Sequence, residues 1–154
     1  NMKIRLAKDQ DYSELAHLHR QTIRKVNSKD YPQDIINVWS SHKTAKKYRD
    51  SANKCKRWVA IINNKIAGFC DHNFECELCG LYVHKDYLLK GVGSRLLKIA
   101  ETSLLKQGCK KITIKSTITA KDFYKKQGYK VVKKAIHKME NQKAQIYIMT
   151  KKLA

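Results

Sequence analysis

The stretch Leu81–Glu101, LYVHKDYLLKGVGSRLLKIAE, constrains the fold more tightly than any other part of the chain. An apolar run leads through a polar turn to two glycines one residue apart, and helical spacing begins at once. Leu96, Leu97, Ala100, Leu104 and Leu105 then mark one buried face of a helix spanning Gly91 to Gln107, with Gly108 placed as its terminal cap. A strand that turns through glycine into a helix presents unpaired backbone N–H groups and the positive end of the helix dipole to an anion. Glycine has no Cβ, so the ligand and the backbone can approach closely. Two nucleotide motifs of this geometry are excluded by their residues. A dinucleotide fingerprint needs glycine or alanine where Leu96 stands and an acid where Lys115-Ser116 ends the next strand. A P-loop needs Gly-Lys-Ser/Thr four residues beyond its first glycine, which is absent.

The rest of the chain supplies a sheet and its covering layers. Met2–Ala7 alternates as a strand, and Asp9 and Asp11 introduce a helix in which Tyr12, Leu15, Ala16, His19, Ile23 and Val26 recur to about Asn27. His17 and His19 read as surface and stripe positions, with no carboxylate or cysteine spaced to join them in a metal site. Tyr31-Pro32 restarts the chain, Ile35, Ile36 and Trp39 form a short apolar face, and a polar, helical stretch follows to about Asn53. Arg57–Asn63 and Lys65–His72 make a hairpin about Asn63-Asn64, since asparagine tolerates the positive φ such turns require. Glu75–Lys85 is expected to be central, being apolar on both faces in its middle. Lys111–Thr117 alternates as a strand, Ala120–Gln127 is a short helix ended by Gly128, and Tyr129–His137 with Ala144–Lys151 form a last hairpin through Glu140–Lys143. The order predicts an α+β fold: one mixed sheet of about seven strands with helices on both faces, in a single domain over residues 2–154. Asn1 reads as an added residue, with Met2 the natural start.

Charge and cysteine content narrow the setting. Thirty-three Lys and Arg against 13 Asp and Glu give a formal charge of +20. Lysines dominate and lie in every segment, which reads as a solvated surface. Bidentate phosphate or base recognition would favour arginine. No apolar run approaches the ~20 residues of a membrane span, and NMKIRLAKDQ resembles neither a signal nor a transit peptide. Five cysteines, an odd number without a regular framework, lead us to expect reduced thiols and a cytoplasmic protein. Cys76 and Cys79 spell C-x-x-C, but no second ligand pair follows, and strand residues three apart point to opposite faces, so neither metal nor redox chemistry is expected.

The spacing V-x-x-x-x-L-L-K-G-V-G-S from Val83, followed by FYKKQGY from Phe123, resembles the GNAT superfamily of acetyl-CoA-dependent N-acetyltransferases. The likeness extends to element order along the whole chain. It implies the GNAT fold, acetyl-CoA as cosubstrate, a primary amine as acceptor, and direct attack with neither metal nor covalent enzyme intermediate. The family's loop is [Gln/Arg]-x-x-Gly-x-[Gly/Ala], so the amides of Leu89, Lys90, Gly91, Val92, Gly93 and Ser94 would hold the CoA pyrophosphate. Leu88 stands at the Gln/Arg position and cannot hydrogen-bond phosphate, which shifts that task to the backbone and to Lys90 or Arg95. The resemblance further implies a central strand splayed from its neighbour, with the Leu81 amide facing the acetyl carbonyl and the Tyr82 and Val83 main chain pairing with pantetheine. Gly80 suits a bulge there.

Thr117-x-x-Ala120-x-x-Phe123-Tyr124 matches the family's Asn-x-x-Ala-x-x-Phe-Tyr, giving Thr117 a pantetheine contact and Tyr124 the role of acid towards the leaving thiolate. A phenol of pKa about 10 facing a thiolate of about 8.5 makes full transfer uphill, so Tyr124 would stabilise the thiolate while solvent delivers the proton. Glu77, fourteen residues before Gly91, is the candidate base, with Glu75 as substitute and a water relay as the alternative; His84 and His72 rank behind them. The acceptor is expected to meet Asn27–Asn53 and the last hairpin, with Tyr31 and Trp39 as lining or core. A homodimer is compatible with the resemblance. A non-catalytic CoA-sensing or nucleic-acid-binding module is the rival reading, motivated by the charge and by Leu88.

Overall fold

The structure, a computed structural model, describes residues 1–153; Ala154, the last residue of the expected domain, lies outside them. Seven strands form one sheet: β1 (Met2–Leu6), β2 (Lys56–Ile62), β3 (Lys65–His72), β4 (Glu77–Val83), β5 (Lys111–Thr117), β6 (Lys130–Met139) and β7 (Gln142–Lys152). Their order across the sheet is β1-β2-β3-β4-β5-β7-β6. Neighbours are antiparallel except β4 and β5, which are parallel because a helix crosses over between them. The expected mixed sheet is therefore present. Asn63 and Asn64 take φ of 51° and 63°, as a two-residue hairpin turn between right-twisted strands demands. The last hairpin is tighter than expected: Gln142 and Lys143 already pair with Met139 and Lys138, and Glu140 (φ 50°) turns the chain.

Five helices cover the two faces: α1 (Tyr12–Lys25), α2 (Gln33–Ser41), α3 (Ala45–Asp50), α4 (Val92–Lys106) and α5 (Lys121–Lys126). The polar stretch before Asn53 becomes α3, started by Thr44, whose Oγ1 accepts from the Lys47 amide at 3.3 Å. On one face α4 buries Leu96, Leu97, Ala100 and Leu104 against Cys70, Leu78, Ile112, Ile114 and Met149. Each buried leucine contributes about 1.5–3 kcal/mol. Leu105, expected in that stripe, is 48% exposed, since one residue past Leu104 rotates it about 100° out of the buried arc.

On the opposite face Leu15, Ala16 and Leu18 of α1 pack with Val59 and Phe69, and Ile23 packs with Tyr31, Ile35, Ile36 and Ala144. His19 belongs to this buried face. Its Nδ1 is paired with the Tyr48 hydroxyl, and its ring lies on Tyr82 with centroids 3.8 Å apart. Burial, with Lys43 as a second cause, holds its pKa well below the ordinary value. Close by, Arg57 Nε donates to Asp71 Oδ2 at 2.8 Å inside the core.

The expectation of reduced thiols is overturned at one pair: Cys76 and Cys109 form a disulfide with Cα atoms 5.7 Å apart. The reason is local. Strand β4 begins at Glu77 and not at Glu75, and Cys76 sits before it in the left-handed region (φ 64°). There it faces the approach to β5, where the Thr113 amide donates to the Cys76 carbonyl at 3.1 Å. Cys55, Cys70 and Cys79 remain thiols. Closing a loop of 33 residues should contribute about 3–4 kcal/mol by restricting the unfolded chain. Urea unfolding of Cys109→Ser, or of the wild type with reductant, should show a loss of that order; an unchanged midpoint would deny the bridge any part in stability.

Candidate active site

Strands β4 and β5 are joined by only two pairings, Glu77 with Thr113 and Leu78 with Ile114, and then separate. On its other side β4 carries a bulge against β3: His72 pairs with Leu78 and Asp71 with Gly80, leaving Cys79 as the extra residue. A bulge bends and twists its strand, and here it turns β4 away from β5. Past Leu78 the β4 edge faces a cavity of about 230 Å³. Its walls are Leu78–Val83 of β4, Ile114–Thr117 of β5, Phe123 and Tyr124 of α5, Leu88 and Gly93 of the glycine turn, and Thr22, Val26 and Asn27 from the α1 side. Gly80 is required by close approach: a Cβ there would lie 2.7 Å from the Tyr82 ring.

The glycine turn opens beside this gap. Gly91, the N-cap of α4, has φ 79°, and Leu89 is likewise left-handed at φ 62°. The Arg95 amide donates to the Gly91 carbonyl at 3.1 Å, so the amides of Gly91, Val92, Gly93 and Ser94 lack an intrahelical acceptor. Leu88, Leu89, Lys90, Gly91 and Arg95 are solvent-exposed, while Val92 turns into the core. A Cβ on Gly93 would come within 3.3 Å of the Phe123 ring, so the missing side chain lets α5 close on the turn. Gln127 Nε2 donates to the Ser94 hydroxyl at 3.1 Å and ties the two helices together.

Tyr124 is buried, packs edge-on against Phe123 and Tyr129, and lines the gap. Burial, then the neighbouring Tyr82, Cys70 and Asp71, pushes its phenol far above the ordinary value, so it is a permanent hydrogen-bond donor. Thr117 also lines the gap, with its Oγ1 accepting from the Ala120 amide at 3.1 Å. Leu81, Tyr82 and Val83 form the β4 wall. The Thr119 hydroxyl, buried on the same wall, lacks a hydrogen-bond partner within the protein.

The candidate bases do not join this group. Glu77 stands at the closed end of the gap, accepting from Asn73 Nδ2 at 3.3 Å, with Lys115 Nζ 3.8 Å away. Glu75 lies in the loop before β4, so it shares no strand face with Glu77. His72 is fully buried on the α4 side between the Asn73 carbonyl and the Ser103 hydroxyl, and His84 Nδ1 accepts from the Asp86 amide at 3.1 Å. Among the described residues, the lining contains no Asp, Glu or His. Cys79 also lines the gap with its side chain exposed; partial desolvation there, then the Asp71 and Glu77 carboxylates, raises its thiol pKa. Sequence reasoning missed Thr22, Cys79, Lys115, Ser116 and Thr119 as lining residues, while Asn27 falls at the start of the stretch expected to meet the acceptor. Thr22 lies on the helical stripe one turn beyond His19 and was legible in principle; the others depend on how far the strands part.

Residues 23–151 match the sequence model of the acetyltransferase (GNAT) domain. Over 133 residues the chain is 29% identical to the uncharacterized N-acetyltransferase YafP of Escherichia coli K12, covering 86% of this chain and 84% of that protein. Its fold is similar to a GCN5-related N-acetyltransferase from Rhodopseudomonas palustris, with a TM-score of 0.93 at 21% identity over 98% of this chain and 95% of that one. It is also similar to the PaiA N-acetyltransferase of Thermoplasma acidophilum solved with coenzyme A, with a TM-score of 0.80 at 23% identity over 99% of each chain.

The glycine turn yields its own test. No atom lies within 4 Å of a Cβ added at Gly91, so the cost of a side chain there comes from its left-handed backbone alone. Gly91→Ala should lose about 1–2 kcal/mol in urea unfolding, and Gly91→Asn less, because asparagine tolerates that region. Equal losses would refute the backbone argument.

Proposed function

The chain belongs to the GNAT acetyltransferase family, and on that premise we propose that it moves acetyl from acetyl-CoA to a primary amine by direct attack. The observation that carries this reading is that the open glycine turn and the gap between β4 and β5 share one cavity wall, through Leu88 and Gly93. The coenzyme A bound to the PaiA relative supports a CoA-type donor. In this reading the amides of Leu89–Ser94 hold the pyrophosphate, assisted by the helix dipole and by the exposed Lys90 or Arg95. The main chain of Tyr82 and Val83 pairs with pantetheine along the unpaired β4 edge, with Thr117 across from it.

The neutral amine nitrogen attacks the thioester carbonyl carbon, and the Leu81 amide donates to the oxygen as it becomes an oxyanion. The C–S bond then breaks, and the electron pair leaves on sulfur. Tyr124 donates a hydrogen bond to this thiolate; its raised pKa makes complete proton transfer unfavourable, so water supplies the proton. The nitrogen's proton leaves through solvent, because no carboxylate or imidazole lines the gap.

Two outcomes test the scheme. Tyr124→Phe should lower kcat by about 10-fold or more, within the range typical of acid–base groups, while CoA affinity measured by calorimetry stays the same. Unchanged turnover would remove Tyr124 from the reaction. With no enzymic base, kcat/KM should rise with pH until the acceptor's own amine pKa, without a falling limb from Tyr124. Glu77→Gln should leave that profile in place; a new or displaced acid limb in the variant would make Glu77 the base.

A further inference from the structure

A second cavity, of about 200 Å³, lies beneath the β6 end of the sheet, lined by Trp39, His42, Lys43, Lys47, His137 and Glu140 among others. Its central feature is Lys43, in the connection between α2 and α3. Arg20 Nη1 donates to the Lys43 carbonyl at 2.6 Å, and Thr44 caps the next helix, so the backbone is held on both sides while the side chain folds inward. Glu140 supplies the carboxylate of this lining, and it is paired with His42 at 2.7 Å. Burial, then the adjacent Lys47, lowers the pKa of the Lys43 ammonium. A half-buried cation without a counter-ion is an unfavourable arrangement that an incoming anion relieves.

The same cations lead towards the gap between β4 and β5. Lys43 and Lys115 both disfavour protonation of His137 after burial itself, and Lys115 lines that gap. Register places these groups on one face. Ile146 pairs with Thr117 on one side and Ala135 on the other, Ile148 pairs with Lys115, and His137 lies opposite the buried Ala144. Trp39 packs on this same layer, edge-on to Tyr31 at 5.1 Å and tilted over His137 at 6.4 Å, and offers a flat apolar wall for a carbon chain.

We propose that this cavity seats an anionic end, carboxylate or phosphate, of the acceptor amine, with Lys43 as its counter-ion and the amine directed along β5 past Lys115 to the gap. A polycationic amine is repelled by the same groups. The inference rests on the acyl-transfer reading above for its biological sense, but anion binding at Lys43 is measurable without acetyl-CoA.

The experiment is calorimetry on the full chain with O-phosphoethanolamine, β-alanine, propylamine and spermidine, followed by thiol release from acetyl-CoA with the same amines. At least one anionic amine should bind about 10-fold tighter than propylamine, the scale of a hydrogen bond to a charged group; whichever of the two binds tighter identifies phosphate or carboxylate as the preferred end. Lys43→Met, checked for fold by circular dichroism, should erase the difference and leave CoA binding unchanged. Equal or absent binding of the acid-bearing amines and propylamine, preference for spermidine, or an intact preference in Lys43→Met overturns the inference. Anionic preference without any thiol release leaves anion binding at Lys43 standing and overturns its part in placing the acceptor.

Discussion

The parting of β4 from β5 after two paired residues is the constraint on which the rest of the molecule depends. Backbone groups on two neighbouring central strands would ordinarily satisfy each other, and leaving them unpaired in the interior is costly. Here the cost is limited because the gap is a cavity open to solvent and to ligand. Three features hold it apart. The Cys79 bulge turns β4, Gly80 admits the Tyr82 ring beside the strand, and the Cys76–Cys109 bridge fixes the closed end just before the strands diverge. The glycine turn then brings the amides at the start of α4 to the rim of the same space.

Electrostatics divides the work between the faces. The gap itself is mostly apolar, and burial pushes its phenols, Tyr82 and Tyr124, towards their neutral forms. Such a lining suits the proposed reaction, whose donors would be main-chain amides and a phenol and whose amine would lose its proton to solvent. On the α2 side the surplus of positive charge becomes specific, because Lys43 is half-buried while Glu140, the carboxylate of the same cavity, is paired with His42. The +20 charge, read from the sequence as a general surface property, therefore includes one position where it is structured.

Much of the architecture could be read from spacing. The Asn63-Asn64 turn, the α4 stripe apart from Leu105, the terminal glycines and the order of elements are set by contacts within a few residues, and appear as expected. The misses share a different cause. Glu75 and Glu77 seemed to share a strand face until Cys76 took a left-handed conformation and moved the strand start. The thiol of Cys76 found a partner 33 residues away, a distance at which spacing carries no information. Lys115 and Thr119 reach the cavity only because two strands diverge, which no local pattern encodes.

By itself, then, the sequence determined the elements, their order, and the exposed glycine turn, because periodicity, capping and left-handed backbone positions are local properties of the chain. Tertiary structure alone decided where β4 leaves β5, which cysteines join, that Tyr124 lines the gap while Glu77 does not, and that Lys43 is drawn out of water. Each of those outcomes depends on packing between segments far apart in the chain, where burial and neighbouring charge, rather than residue type, set the chemistry.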